Sequence, residues 1–115
     1  SIRPLDNPKV DFPNMNNTQL YKNKKLKKRI AKYENKRVKD YHILDSLYLY
    51  YVTRFGPKNF MQNQDLDMVW RLGQIKEILN DTSMALYFYG MALKNQSKYY
   101  KEVKLNYDAL KAPTY

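Results

Sequence analysis

Apolar residues along this chain recur at helical rather than strand spacing. Leu26, Ile30 and Tyr33 fall at i, i+4 and i+7, and Val38 continues roughly the same stripe. Leu44, Leu47, Tyr48, Tyr51 and Phe55 form a second set. Tyr41, Ile43, Tyr50 and Val52 widen it, so this second helix is expected to lie between others. Leu66, Val69, Trp70, Leu72, Ile75 and Leu79 form a third set, and Ala85, Phe88, Tyr89, Ala92 and Leu93 a fourth. Tyr100, Val103, Tyr107 and Leu110 form a fifth. Each pattern keeps one face apolar at about 3.6 residues per turn. No segment shows the period-two alternation of a half-buried strand. The expectation is an all-α fold of five helices in stacked antiparallel pairs.

Punctuation agrees with that reading. Asn17 or Thr18 is placed to cap the first helix, and the second runs from about Asp40 to Phe55. Gly56-Pro57 is a helix stop, because Gly accepts the left-handed cap and Pro cannot continue the helix. Residues 57–64 read as a loop anchored by Phe60 and Met61. Asn80-Asp81-Thr82 reads as a turn plus N-cap, Gln96-Ser97 as the end of the fourth helix, and Ala112-Pro113 as the end of the fifth. Pro4, Pro8 and Pro13 make residues 1–16 an extended strap, with Leu5, Val10 and Phe12 as docking residues. The organisation expected is therefore a strap (1–16), a basic helical hairpin (17–56), a loop (57–64), a helix pair (65–99) and a C-terminal helix with a tail (100–115).

Composition narrows the chemistry. The chain has 115 residues, 43% of them hydrophobic, enough for one modest core. Three glycines leave little room for a Gly-rich phosphate loop, and the absence of cysteine excludes disulfides, Cys-type zinc sites and thiol nucleophiles. No stretch reaches the roughly 18–20 apolar residues that a membrane helix needs. The opening Ser1-Ile2-Arg3-Pro4 reads as a processed product or a segment of something longer.

The net charge of +10 is concentrated in one place. Residues 22–39 hold ten basic residues and one acidic one. Lys25, Lys28, Arg29, Lys32 and Lys36 are expected on the helix face opposite the apolar stripe, as a candidate surface for nucleic acid, anionic lipid or an acidic protein. A plain solvated lysine face accounts for the same pattern. Tyr33 is the one aromatic inside the run.

Catalytic and metal-binding patterns are missing. His42 is the single histidine, and Asp45 three residues on gives it no third partner. Asp65-x-Asp67 lacks the Gly and the further oxygen ligands of a calcium loop, and fits helix-dipole stabilisation instead. The expectation is no enzyme activity, no catalytic or metal residues and no cofactor. Trp70, Tyr87 and Tyr89 are the candidates for a partner-binding groove, although aromatics at this spacing are more often core.

Leu72, Gly73, Ala85, Tyr89, Ala92 and Leu93 together resemble the signature of a tetratricopeptide repeat. That family carries Leu-Gly in its first helix, Ala twelve residues later, an aromatic four beyond and Ala-Leu three further. The small residues let two helices cross closely. There are departures: Val69 stands in the usual Trp place with Trp70 one residue late, Lys76 stands where an aromatic is usual, and Ser97 replaces the closing Pro. The resemblance implies a protein-binding scaffold whose partners are other subunits or neighbouring repeats.

A second resemblance spans most of the chain. RPLDNPKVDFPNMNN, YVTRFGPKNF and DMVWRLGQIKEILNDTSMALYFYGMALKN look like the repeat-bearing segment of bacterial cell-envelope lipoproteins. In that group the segment precedes an outer-membrane-protein-A-like module and serves type IX secretion and gliding. It implies a periplasmic or outer-membrane-associated location. The alternative is a basic, RNA-contacting subunit of a ribosomal or organellar ribonucleoprotein.

Overall fold

The computed structural model describes residues 17–55, 63–94 and 99–112, with side-chain burial over 21–54, 66–94 and 99–112. The strap (1–16), the Gly56-Pro57 stop, Phe60, Met61, Gln96-Ser97 and Pro113 lie outside the described residues.

Within them the chain forms five helices and no strand: α1 (Asn17–Glu34), α2 (Tyr41–Phe55), α3 (Asn63–Ile78), α4 (Thr82–Lys94) and α5 (Tyr100–Lys111). The all-α expectation holds. Helix α3 starts two residues before the expected Asp65. The helices pack in chain order, α1 on α2, α2 on α3, α3 on α4 and α4 on α5. The result is an elongated array of 52 × 31 × 20 Å.

Capping explains where two of the helices begin. Asp40 Oδ1 accepts from the backbone N–H of His42 (3.1 Å) and Ile43 (3.2 Å), satisfying donors that the first turn of α2 leaves open. The α3–α4 turn does two tasks in three residues. Asn80 adopts φ 64°, a left-handed conformation that Asn tolerates better than most residues. Asp81 N–H then reaches Lys76 O (2.8 Å) and Asn80 N–H reaches Glu77 O (3.0 Å), closing α3 in a Schellman motif. Asp81 Oδ1 accepts from Met84 N–H (3.2 Å) and caps α4.

The core runs the length of the array: Ile30 from α1, Leu44, Tyr48, Tyr51 and Val52 from α2, then α3, then Ala85, Phe88, Tyr89 and Ala92 from α4 and Val103 from α5. Residues 66–73 of α3 are buried without interruption. A helix covered on all sides is the centre of its domain, and α3 has α2 on one side and α4 on the other.

Three sequence expectations need correction. Val38 is 83% exposed, because α1 ends at Glu34 and Val38 leaves the helical stripe. Tyr100 is 46% exposed, because at the first residue of α5 it extends beyond the face that Val103 buries. Ile43 and Tyr50 lie at the surface, so only Tyr41 and Val52 of that group widen the covered face of α2.

Candidate functional site

Helix α1 carries two parallel rows with opposite fates. Asn23, Lys27, Ile30 and Glu34 stand at i, i+4, i+7 and i+11, and all four are buried. Tyr21, Lys25, Lys28 and Lys32 keep the same spacing two residues earlier, and all four are exposed. Two residues of α-helix turn the chain by about 200°, so the second row points away from the core. Lys22, Lys24 and Arg29 flank it and are exposed as well. Of the five cations expected on this face, Lys25, Lys28, Arg29 and Lys32 are there. Lys36 is exposed but lies beyond the end of α1, with its Nζ 5.0 Å from the centre of the Tyr33 ring.

The lone acid of the basic run does not neutralise that face. Glu34 is 5% exposed and turns inward. Its Oε2 accepts from Arg71 Nε (2.7 Å) and its Oε1 from Arg71 Nη2 (3.0 Å), a two-pronged pair. The Tyr48 hydroxyl donates to the same carboxylate. Arg71 also lies 5.9 Å from the centre of the Tyr41 ring. One buried charge cluster thus ties α1, α2 and α3 together. Burial, then the charge of Glu34 and the hydrogen bond to it, push the Tyr48 hydroxyl well above the usual tyrosine range. Burial by itself lowers the Arg71 guanidinium, but its hydrogen bonds to Glu34 and the Glu34 charge hold it above its ordinary value. Lys27 is withdrawn too, with its Nζ 5.3 Å from the Tyr51 ring centre.

Sequence reasoning missed Glu34, Arg71 and Tyr48. The signal for Glu34 was its position as the only acid in a basic run. Nothing local marks Arg71 as its partner, since 37 residues separate the two.

The six repeat-signature residues lie on α3 and α4. Leu72, Gly73, Ala85, Tyr89 and Ala92 are buried and Leu93 is partly so. Gly73 lies against Tyr89: a Cβ built there would stand 2.6 Å from ring atoms Cδ1 and Cε1. The Tyr89 hydroxyl donates to Glu77 Oε1 (2.8 Å). Burial, then that hydrogen bond, raise the hydroxyl far above its ordinary value. Lys76 reaches across to α2, 2.9 Å from Asp45 Oδ1. A charge pair therefore stands where the resembling family carries an aromatic.

The proposed groove of Trp70, Tyr87 and Tyr89 does not assemble at the surface. Tyr89 is fully buried and Trp70 is 7% exposed, so both are core, while Tyr87 is exposed. Trp70 Nε1 donates to Asn106 Oδ1 (2.8 Å), and its ring lies 5.4 Å from that of Tyr99. Trp70 thus pins α5 and its entry to α3.

His42 is exposed, and Asp45 is engaged with Lys76. Among the described residues no group of three His, Cys, Asp or Glu side chains is arranged to hold a metal, and no helix is long and apolar enough to cross a membrane. Comparison with protein-family models, curated proteins and solved structures gave no match.

Proposed function

We propose that this protein is a non-enzymatic scaffold that binds other protein subunits of a larger assembly. The observation that supports this best is the stacking order. Among the described residues each helix packs chiefly on its neighbours in the chain, so the array has two ends, α1 on α2 and α5 on α4. Stacked helical arrays leave their end faces to a neighbouring repeat or a partner. Leu105 on α5 is 72% exposed and Tyr87 on α4 is 58% exposed, both large apolar side chains on the last two helices. The close Gly73–Tyr89 crossing is what a tetratricopeptide-type helix pair would require. The assembly we assign is one of the bacterial cell envelope, of the type IX secretion and gliding kind. Support for that location comes from the sequence resemblance.

The test is affinity purification of the tagged chain from its native cells after nuclease treatment, repeated with Leu105→Glu and Tyr87→Glu. Co-purifying envelope proteins that survive nuclease and are lost from the substituted chains support the reading. Both substituted chains must keep the helical circular dichroism of the parent. Partners lost on nuclease treatment, or retained by both substituted chains, would overturn it.

A further inference from the structure

We propose that the exposed row of α1 is a docking surface for single-stranded nucleic acid. The row consists of Tyr21, Lys25, Lys28 and Lys32, flanked by Lys22, Lys24 and Arg29 and continued by Lys36 and Arg37. Three features of the folded molecule carry this beyond a count of lysines.

Every charged side chain of the row and its flanks is a cation. Glu34, the only acid in residues 22–39, is consumed inside the protein by Arg71 and Tyr48. Its carboxylate therefore gives the row no counter-charge.

An aromatic ring stands in line with the cations. Tyr21 is 66% exposed and begins the row that Lys25, Lys28 and Lys32 continue. From Tyr21 to Lys32 the helix rises about 16 Å. Cations that meet phosphates beside an open ring on which a base can stack suit an unpaired strand, whose bases are free to turn outward. A duplex keeps its bases stacked and would leave Tyr21 idle.

The competing anionic surfaces fit less well. An interfacial helix must offer an apolar face to the bilayer, and the opposite row of α1 is already buried in the core through Ile30, Lys27 and Glu34. An acidic protein segment would pair with the cations as well, and polyglutamate is its probe in the experiment below.

The experiment is fluorescence anisotropy of the whole chain with fluorescein-labelled oligouridine across a salt series. Binding should weaken linearly in log–log form, with a slope near −3 for about four phosphates neutralised on a single strand. Lys25→Gln/Lys28→Gln/Lys32→Gln should weaken binding at least roughly 30-fold and flatten the slope by about two. Tyr21→Ala should weaken binding roughly five-fold or more with the slope unchanged, because stacking releases no counterions. All these positions are exposed, and unaltered circular dichroism confirms that each variant is folded. Duplex DNA of equal length, phosphatidylserine vesicles and polyglutamate serve as the comparison probes. Tighter binding to any of the three than to oligouridine at the same salt overturns the proposal, as does a Tyr21→Ala chain that binds like the parent.

Discussion

The two halves of this array are joined by different physics. Between α1, α2 and α3 the joint is electrostatic, with Glu34 held by Arg71 and Tyr48, and Asp45 held by Lys76. Between α3, α4 and α5 it is steric, with Gly73 against the Tyr89 ring and Trp70 seated beside Tyr99 and bonded to Asn106. A buried ion pair compensates a large desolvation cost, so losing one partner is expensive even where the pair adds little net stability. A close helix crossing fails for the opposite reason, when an atom is added. The first half is thus sensitive to deletion and the second to insertion.

The largest effect should come from Arg71→Met, which leaves the Glu34 carboxylate buried without its cation. A loss of about 3–5 kcal/mol is expected, read as a lower urea midpoint. Adding Glu34→Met to the same chain should recover most of it, since a well-packed apolar pair can replace a buried ion pair. A single variant within about 1 kcal/mol of the parent would show that the pair is not dry.

The steric half is probed by Gly73→Ala, which drives a methyl group into the Tyr89 ring and should cost about 1–3 kcal/mol. The matched control is Gly90→Ala on α4. A Cβ at position 90 meets nothing nearer than Tyr107 Cε1 at 3.7 Å, an ordinary contact. Alanine's helix preference should make that change neutral or stabilising by up to about 1 kcal/mol. Equal losses from both substitutions would remove the close crossing as the explanation.

Tyr48→Phe removes one donor to Glu34 and should cost about 1–2 kcal/mol near neutral pH. It should also alter the alkaline limb of stability. The hydroxyls of Tyr48 and Tyr89 are both raised in the folded chain. Their contribution is therefore fully present below the unfolded tyrosine value of about 10 and is lost as pH rises beyond it, because the unfolded chain releases those protons first. Urea midpoints taken on either side of that value should fall less steeply for Tyr48→Phe than for the parent. Parallel curves would mean that the hydroxyl is reached by solvent.

The smallest effect is expected from Asn106→Ala, which leaves Trp70 Nε1 without its acceptor. About 1 kcal/mol is at stake. Hydrogen exchange should show the loss as faster opening of α5 rather than of α2. Equal acceleration in both helices would mean that Trp70 supports the whole array instead of its C-terminal joint.

Legibility differed between the halves in the same way. The α3–α4 pair was readable because its determinants are close in sequence and apolar: Leu72, Gly73, Ala85, Tyr89 and Ala92 fall at helical spacing and end at the core positions that spacing demands. The Asn80-Asp81-Thr82 turn was readable as a cap because capping is local, whereas Asp40 was read only as the approximate start of α2. Val38 and Tyr100 were misjudged because a periodic stripe does not announce where its helix ends. The groove of Trp70, Tyr87 and Tyr89 was misjudged because an aromatic at helical spacing looks the same whether it fills a core or lines a surface.

By itself the sequence determined the five helices, their order and the concentration of charge in residues 22–39. Those features depend on backbone hydrogen bonding, side-chain period and residue identity, all local along the chain. Only the tertiary structure decided that Glu34 faces Arg71, that Lys27 is withdrawn and that Tyr21 stands with the exposed lysines. Each of those depends on what a neighbouring helix covers. In particular, a carboxylate enters a core only where a cation some 37 residues away is brought to meet it.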